Sequence, residues 1–237
     1  VIDRTNGQFI SAKNFVDVNW ASGYDKNGRP IETAIARTGD RPREIIPSAF
    51  GARNWHSMSY NPATGLVYMP VQGVPLTLMD NKDWKFNGVR PGEPHSGMGW
   101  NTANFANVEA PTSKPYGRLV AWDPVKQQAA WTKEQISPWN GGTLTTAGNL
   151  VFQGTADGRF IAYNATTGEQ LWETPTGTGV IAAPSTYLVD GKQYVSIAVG
   201  WGGVYGLAQR ATDRQGPGTV YTFAVGGTAQ PPAFVKY

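Results

Sequence analysis

A fifteen-residue pattern occurs twice in this chain, at an offset of 41 residues. The first copy runs from Gly117 to Trp131 and the second from Gly158 to Trp172, and the two copies align without a gap. The matched positions include Gly117/Gly158, Arg118/Arg159, Ala121/Ala162, Asp123/Asn164 and Trp131/Trp172. Self-similarity at this period is typical of folds built by stacking equivalent supersecondary units.

Each copy predicts a β-hairpin. A short run of β-prone residues is followed by Asp123 or Asn164, which opens a turn through its side chain, and Gly168 supplies the positive φ that such a turn needs. The second strand then ends near Trp131 or Trp172. One hairpin cannot bury so large a ring, so we expect a neighbouring unit to cover it. The repeat therefore predicts β-propeller blades in which these two tryptophans are structural.

Further segments fit the same pattern. Turn residues at Gly65, Asp157-Gly158 and Asp190-Gly191 predict three more hairpins, and residues 3–7 repeat the turn chemistry without a following tryptophan. Residues 76–115 lose the regular spacing and predict a long insertion, which we expect to be functional or substrate-facing. With four strands per blade, the chain is expected to hold about four blades. Because residue 1 falls inside a hairpin, we expect the chain to be a piece of a longer protein.

Composition excludes several classes of function. The 9 Trp, 10 Tyr, 29 Gly and 17 Pro favour short strands and tight turns. The net charge of +3 comes from scattered Lys and Arg, so no nucleic-acid surface is predicted. The absence of Cys excludes disulfides, thiolate metal sites and a C-x-x-C-H haem site within this chain. No apolar run is long enough to predict a membrane span.

The other titratable residues predict no catalytic or metal site. His56 and His95, the two histidines, lie in dissimilar contexts, and surface or hydrogen-bonding roles are expected for both. Candidate acids lie in turn-like sequences, where Asp bonds to its own backbone, and none predicts a general base. These acids are Asp25, Asp40, Asp80, Asp83 and Asp157.

The blade pattern and several longer strings resemble one family, the quinoprotein alcohol dehydrogenases. The strings are residues 19–25 (NWASGYD), 54–62 (NWHSMSYNP), 137–144 (SPWNGGTL), 153–158 (QGTADG) and 199–204 (VGWGGV). Members of that family are eight-bladed propellers with tryptophan-docking motifs that bind pyrroloquinoline quinone (PQQ) and calcium. The chain most resembles the soluble type II quinohaemoproteins, in which a linker joins the propeller to a cytochrome c domain.

The resemblance implies an all-β fold and a division of the chain. Residues 1–225 would form the C-terminal half of the propeller domain, and residues 226–237 a linker-like tail. The parent protein would be a periplasmic enzyme that oxidises primary or secondary alcohols and passes electrons to haem c. Its partners would be the missing N-terminal half and a cytochrome c domain or protein. The aspartate base and the calcium ligands are expected upstream of Val1, so this chain would hold no catalytic residue and no metal ligand.

The resemblance also implies three cofactor-binding residues, Asn54, Trp55 and Val204. An Asn amide can donate to a quinone oxygen, an indole can pack near the flat ring, and paired glycines before Val204 permit close approach to a planar ligand. The structural alternative is that Asn54 opens a turn, Trp55 fills the core and the glycines mark a strand end.

Two other functions stay open at this point. A non-enzymatic propeller scaffold of the outer-membrane assembly type would share the tryptophan-containing blades. Such a scaffold would be expected to lack the Asn54-Trp55 pair, the glycine-rich 200–204 segment and the long insertion. A quinoprotein sugar dehydrogenase would differ only in the shape of its cavity.

Overall fold

The computed structural model describes residues 1–80, 110–200 and 217–230, and these parts contain β-strands and no helix. No segment among them could therefore cross a membrane as a helix. The fifteen strands are β1 (Ala21–Tyr24), β2 (Pro30–Glu32), β3 (Arg43–Ile45), β4 (Ser59–Asn61), β5 (Leu66–Gly73), β6 (Leu76–Leu78), β7 (Tyr116–Asp123), β8 (Gln128–Gln135), β9 (Thr143–Thr145), β10 (Leu150–Gly154), β11 (Arg159–Asn164), β12 (Gln170–Pro175), β13 (Ser185–Val189), β14 (Lys192–Val199) and β15 (Thr219–Phe223).

The strands form antiparallel sheets of the size expected for blades. Two sheets have four strands, in the orders β4-β5-β7-β8 and β9-β10-β11-β12, and a third has the order β13-β14-β15. Strands β1 and β2 form one two-stranded pair, and β3 and β6 form another. The predicted hairpins are confirmed, including the β13–β14 turn, where Asp190 and Gly191 both have positive φ.

The sequence repeat reappears in the strand pairing. Ala121 lies opposite Trp131 in the β7–β8 hairpin, and Ala162 lies opposite Trp172 in the β11–β12 hairpin. The register shifts directly after each of these alanines, so the bulge is repeated as well. Asp123 and Asn164 each accept two backbone N–H groups within their turns, as predicted.

The sheets pack face to face. Side chains of β5 and β7, among them Tyr68 and Leu119, meet side chains of β10 and β11, among them Val151 and Ile161, in one buried cluster. A second cluster, which contains Phe160, joins the β9–β12 sheet to the β13–β15 sheet. Burial of these apolar faces between successive layers is the main stabilising term of such an array.

Trp131 and Trp172 pack across sheet boundaries, and this confirms their structural role. Trp131 lies against the cluster between the two four-stranded sheets. Trp172 makes edge contacts with Phe160 of its own sheet and Phe223 of the next one, and it remains 41% exposed.

The inner edges of the sheets converge. Strands β4 and β9, the first strands of the two complete sheets, contact each other, whereas β8 and β12 lie at the opposite edges. Hydroxyl groups link the two inner strands, since the Oγ of Ser59 lies 2.9 Å from the Oγ1 of Thr143. This arrangement of radiating antiparallel sheets confirms the predicted all-β blade architecture.

The predicted insertion begins later than expected. Leu76–Leu78 forms strand β6, which pairs with β3 in register Arg43↔Leu78, so this part of the interval is ordered sheet. No local spacing predicts this pairing, because β3 and β6 are far apart in the chain. Residues 81–109, the larger part of the predicted insertion, lie outside the described residues. The tail predicted at residues 226–237 is described only to residue 230, where it carries no strand, and its linker role stays a prediction.

Candidate functional site

The candidate site lies on the connection between β3 and β4, which is held against the adjacent sheet. The amide of Gln72 on β5 donates to the main-chain oxygen of Ala52, and the amide of Thr143 on β9 donates to that of Ser57, both at 2.9 Å. The side-chain amide of Gln72 also donates to the main-chain oxygen of Phe50 at 2.9 Å. The connection is therefore held at its middle by β5 and near its end by β9.

Asn54 is half-buried, and its side chain is partly committed to local bonds. Its Oδ1 accepts the amide N–H of Trp55 at 2.8 Å, and its Nδ2 donates to the main-chain oxygen of Phe50 at 3.2 Å. A carboxamide nitrogen carries two hydrogens, so one remains for a ligand. The turn-forming role of Asn54 and a ligand-binding role are therefore compatible.

Trp55 does not fill the core. Its side chain is 60% exposed, although indoles are usually well buried in folded proteins. One face of the indole stacks on the imidazole of His56, with ring centroids 4.2 Å apart and an interplanar angle of 22°. The alternative in which Trp55 is a core residue is therefore wrong, and its indole is available to a flat ligand.

His56 is buried, which corrects the expectation of a surface role. It is only 3% exposed, and its Nε2 has no hydrogen-bond partner. Burial, together with the positive charge of Arg53, lowers the pKa of His56 from 6.5 to about 4. The imidazole is therefore neutral at pH 7. The guanidinium of Arg53 donates to the main-chain oxygen of His56 at 2.9 Å, which fixes the backbone at this position.

An aromatic cluster lies beneath His56. The ring of Trp139, from the β8–β9 connection, meets His56 edge to face at 5.0 Å, and Phe50 meets Trp139 edge to face at 6.1 Å. Trp139 also packs with Ala156, from the β10–β11 turn, and Ile181, which precedes β13. We call Phe50, Trp139, Ala156 and Ile181 the aromatic pedestal. It joins the connections of three successive sheets.

Gly142 allows β9 to approach the site closely. A Cβ at this position would lie 2.9 Å from the amide nitrogen of Ser57 and 2.8 Å from the Cβ of Ala183. Backbone atoms of the Asn54–Ser57 segment therefore touch the start of β9. Trp55 thus lies two residues before the point where the connection packs against the start of β9.

The structure does not test Val204, because residues 201–216 lie outside the described part of the chain. Gly200, which precedes that segment, is anchored by its amide to the main-chain oxygen of Gly179 at 3.1 Å. Asp25 accepts the amides of Asn27 and Arg29 within its turn, as predicted. In the described ranges, no three His, Cys, Asp or Glu side chains come together as a metal site would require.

A separate cleft of about 510 Å³ lies on the residues preceding the site. Its lining includes Phe15, Trp20 and Leu78, together with Ser48 and Ala52, but not Asn54 or Trp55. The cleft is therefore distinct from the surface that Asn54 and Trp55 form.

The site joins a rigid aromatic surface to an amide donor at adjacent positions. A flat ring system with carbonyl oxygens can stack on such a surface and accept a hydrogen bond from such an amide. The family resemblance predicted Asn54 and Trp55 as site residues, whereas the contacts of Arg53, His56 and Trp139 were missed. Trp139 lies 83 positions from His56, and no local pattern indicates the contact between their rings.

Comparison with known proteins identifies the family to which this chain is similar. The family described as "PQQ: Glucose/ethanol/alcohol dehydrogenase, beta-propeller domain" matches residues 24–195. The chain is 71% identical over 235 residues to a quinohemoprotein alcohol dehydrogenase of Comamonas testosteroni, covering 99% of this chain and 33% of the relative. It is 60% identical over 237 residues to a 1-butanol dehydrogenase (cytochrome c) of Thauera butanivorans, covering 100% of this chain and 34% of the relative.

Solved structures give the same result. The crystal structure of the quinohemoprotein alcohol dehydrogenase from Comamonas testosteroni superposes with a TM-score of 0.87 at 69% identity, covering 98% of this chain and 34% of that one. A europium-containing methanol dehydrogenase superposes with a TM-score of 0.75 at 28% identity, covering 94% and 42%. The chain spans about a third of the length of the curated relatives it matches. It belongs to the family of PQQ-dependent glucose, ethanol and alcohol dehydrogenase β-propeller domains.

Proposed function

We propose that this chain is part of a PQQ-dependent alcohol dehydrogenase and forms one wall of its cofactor chamber. The parent protein would oxidise primary or secondary alcohols to aldehydes or ketones and pass the electrons to haem c. The observation that carries the proposal is the exposed indole of Trp55 beside the Asn54 side chain, on a connection whose backbone packs against the start of β9. Membership of the family supports the choice of ligand.

The residues present fit a planar quinone. When bound, PQQ supplies the two-electron acceptor that alcohol oxidation requires. The free amide hydrogen of Asn54 would be donated to one of its carbonyl oxygens, and the indole of Trp55 would pack near its ring system. The neutral imidazole of His56 lies on the other side of the indole, so that face of Trp55 excludes water.

The remaining machinery would come from other parts of the protein. We assign the aspartate that takes the hydroxyl proton, and the ligands of the calcium ion, to sequence upstream of Val1. The haem would belong to a cytochrome c domain or a separate cytochrome. The names of the relatives support the role of the haem, since one is a quinohemoprotein and another is named for cytochrome c. A periplasmic location follows from the same proposal.

Val204 is proposed as a cofactor or cavity residue of the same chamber. Support comes from its sequence context, in which Gly202 and Gly203 permit close approach of the backbone to a flat ligand. The anchored amide of Gly200 fixes the point where the preceding strand ends.

The test is reconstitution of the full-length protein that contains this chain. The apoprotein is supplied with PQQ and calcium, and alcohol oxidation is measured with a dye as electron acceptor. Asn54→Ala is expected to lower the rate or the PQQ affinity at least tenfold, because a buried quinone oxygen loses its donor. Val125→Ala, at an 89% exposed turn position, serves as the control.

Two results would contradict the proposal. Wild-type rate and cofactor affinity in Asn54→Ala would remove this residue from the site. Absence of a quinone absorption band and of any alcohol oxidation in the reconstituted wild type would favour the propeller scaffold instead. Oxidation of sugars in preference to alcohols would favour the sugar dehydrogenase.

A further inference from the structure

We propose that His56 is a positioning residue, which fixes the plane of the Trp55 indole so that its exposed face is presented to the cofactor in one orientation. The inference rests on the proposed function, because it assigns how the cofactor-binding indole is held. It adds a residue that would not touch the cofactor itself.

The first observation is the stack. The two rings are nearly parallel, at 22°, and their centroids lie 4.2 Å apart, which is close contact for aromatic rings. Trp55 is 60% exposed, so few other groups restrain its side chain. An exposed tryptophan would otherwise rotate about χ1 and χ2 and lose this freedom only on binding a ligand.

The second observation is that His56 is itself restrained. Its side chain is almost fully buried, and its ring meets Trp139 edge to face at 5.0 Å. The guanidinium of Arg53, on the same β3–β4 connection, donates to the main-chain oxygen of His56. The orientation of Trp55 is therefore set by groups that belong to the packed interior.

The third observation is the pedestal beneath the stack. Trp139 packs with Phe50, Ala156 and Ile181, which lie on connections of three different sheets. A shift of one sheet against the next would move this cluster, and the stack would transmit the shift to Trp55. His56 thus links the packing between blades to the geometry of the binding surface.

A buried histidine whose Nε2 makes no hydrogen bond is costly, because an imidazole nitrogen loses its water without replacement. An apolar side chain of similar size would fill the same space without that cost. The flat shape of the ring, and not its hydrogen bonding, is what the stack uses. This distinction makes a conservative replacement informative.

The test uses the full-length apoprotein and four variants: His56→Ala, His56→Phe, Trp55→Ala and the double variant His56→Ala/Trp55→Ala. Ser57→Ala, an exposed neighbour whose side chain is outside the stack, is the matched control. The first readout needs no cofactor. The contribution of Trp55 to fluorescence anisotropy and near-ultraviolet circular dichroism is obtained by subtracting the signal of the same protein carrying Trp55→Phe.

We expect His56→Ala to lower the anisotropy of Trp55 and to reduce its circular dichroism signal by about half or more, since the ring becomes mobile. His56→Phe is expected to restore both signals, because a flat ring again lies under the indole. Unchanged signals in His56→Ala would overturn the proposal, whatever the protein binds.

The second readout is PQQ affinity. His56→Ala is expected to bind PQQ about 3- to 10-fold more weakly, and His56→Phe within about twofold of the wild type. The double variant should bind no more weakly than Trp55→Ala, because His56 acts through Trp55. Additive losses in the double variant would show that His56 acts independently, and would refute the positioning role. If Trp55→Ala itself binds PQQ as the wild type does, the proposed function fails, and the anisotropy still decides whether the stack is formed.

Discussion

The indole Nε1 of Trp131 donates a hydrogen bond of 3.0 Å to the main-chain oxygen of Ala165, which lies in the turn of the next sheet. The hydroxyl of Tyr68 donates to the same oxygen at 2.9 Å. Two aromatic residues of one sheet therefore satisfy a single carbonyl of its neighbour. The matched tryptophan of the next unit, Trp172, also packs across a sheet boundary, but against the ring of Phe223 on strand β15.

The first prediction concerns this docking contact. Trp131→Ala should lower the free energy of unfolding by about 3 to 5 kcal/mol, since it removes a large ring from the interface between sheets. Trp131→Phe should lower the free energy of unfolding by about 1 to 2 kcal/mol, because it keeps a ring at the interface but loses the hydrogen bond to Ala165. Urea unfolding of the full-length protein measures both, with Val125→Ala as a neutral control. Equal stability of Trp131→Ala and wild type would contradict the docking role.

The second prediction uses two glycines with similar backbone geometry. Gly168 has φ of +72°, and a Cβ there would lie 2.7 Å from the Trp131 ring. Gly65 has φ of +70°, but a Cβ there would meet nothing within 4 Å. Gly65→Ala should therefore cost only backbone strain, about 1 kcal/mol. Gly168→Ala should cost clearly more, because it also displaces Trp131.

Thermal melting of the two glycine variants tests this difference. A larger loss in Gly65→Ala than in Gly168→Ala would show that Trp131 does not rest against the turn. The pair is well matched, since each glycine closes a hairpin turn and the substitution adds the same single methyl group.

The third prediction is a pH dependence of stability. The folded pKa of His56, about 4, lies below its ordinary value of 6.5, so between these values the unfolded chain binds more protons than the folded one. His56 therefore contributes fully to stability above pH 6.5, and this contribution is lost as the pH falls towards 4. The loss amounts to about 2 to 3 kcal/mol.

Urea unfolding at pH 7 and pH 4.5 measures this effect in the wild type and in His56→Phe. The wild type should lose more stability than the variant between the two pH values. His95 is present in both proteins, so its titration cancels in the comparison. Identical pH dependence in the two proteins would contradict the buried, neutral state of His56.

Much of the blade architecture could be predicted from local sequence. Asp123 and Asn164 open their turns because a short side-chain oxygen accepts the amides two and three residues ahead, and this chemistry is visible in the residue type. The turn at Gln127 could not be predicted in the same way. Gln127 has φ of 55° at the position that matches Gly168, although glutamine rarely adopts that conformation, and its side chain donates to the main-chain oxygen of Pro124.

Less of the candidate site than of the fold could be predicted from the sequence. The exposed state of Trp55 depends on tertiary contacts of the β3–β4 connection, such as the approach of Ser57 to Gly142, and a dipeptide cannot reveal such contacts. His56 was expected at the surface because an isolated histidine gives no sign of burial. Its contact with Trp139 joins two connections that are far apart in sequence, and pairing β3 with β6 has the same long-range origin.

The measurement that tests the central claim most directly is the affinity of the full-length apoprotein for PQQ, with and without the Trp55 indole. Fluorescence titration with PQQ in the presence of calcium should give Trp55→Ala a dissociation constant at least tenfold higher than that of the wild type. Trp55 is mostly exposed, so the variant should fold normally. Leu171→Ala, half-exposed on the outermost strand β12, should bind as the wild type does. Equal dissociation constants for Trp55→Ala, Leu171→Ala and wild type would contradict the claim that this chain forms a wall of the cofactor chamber.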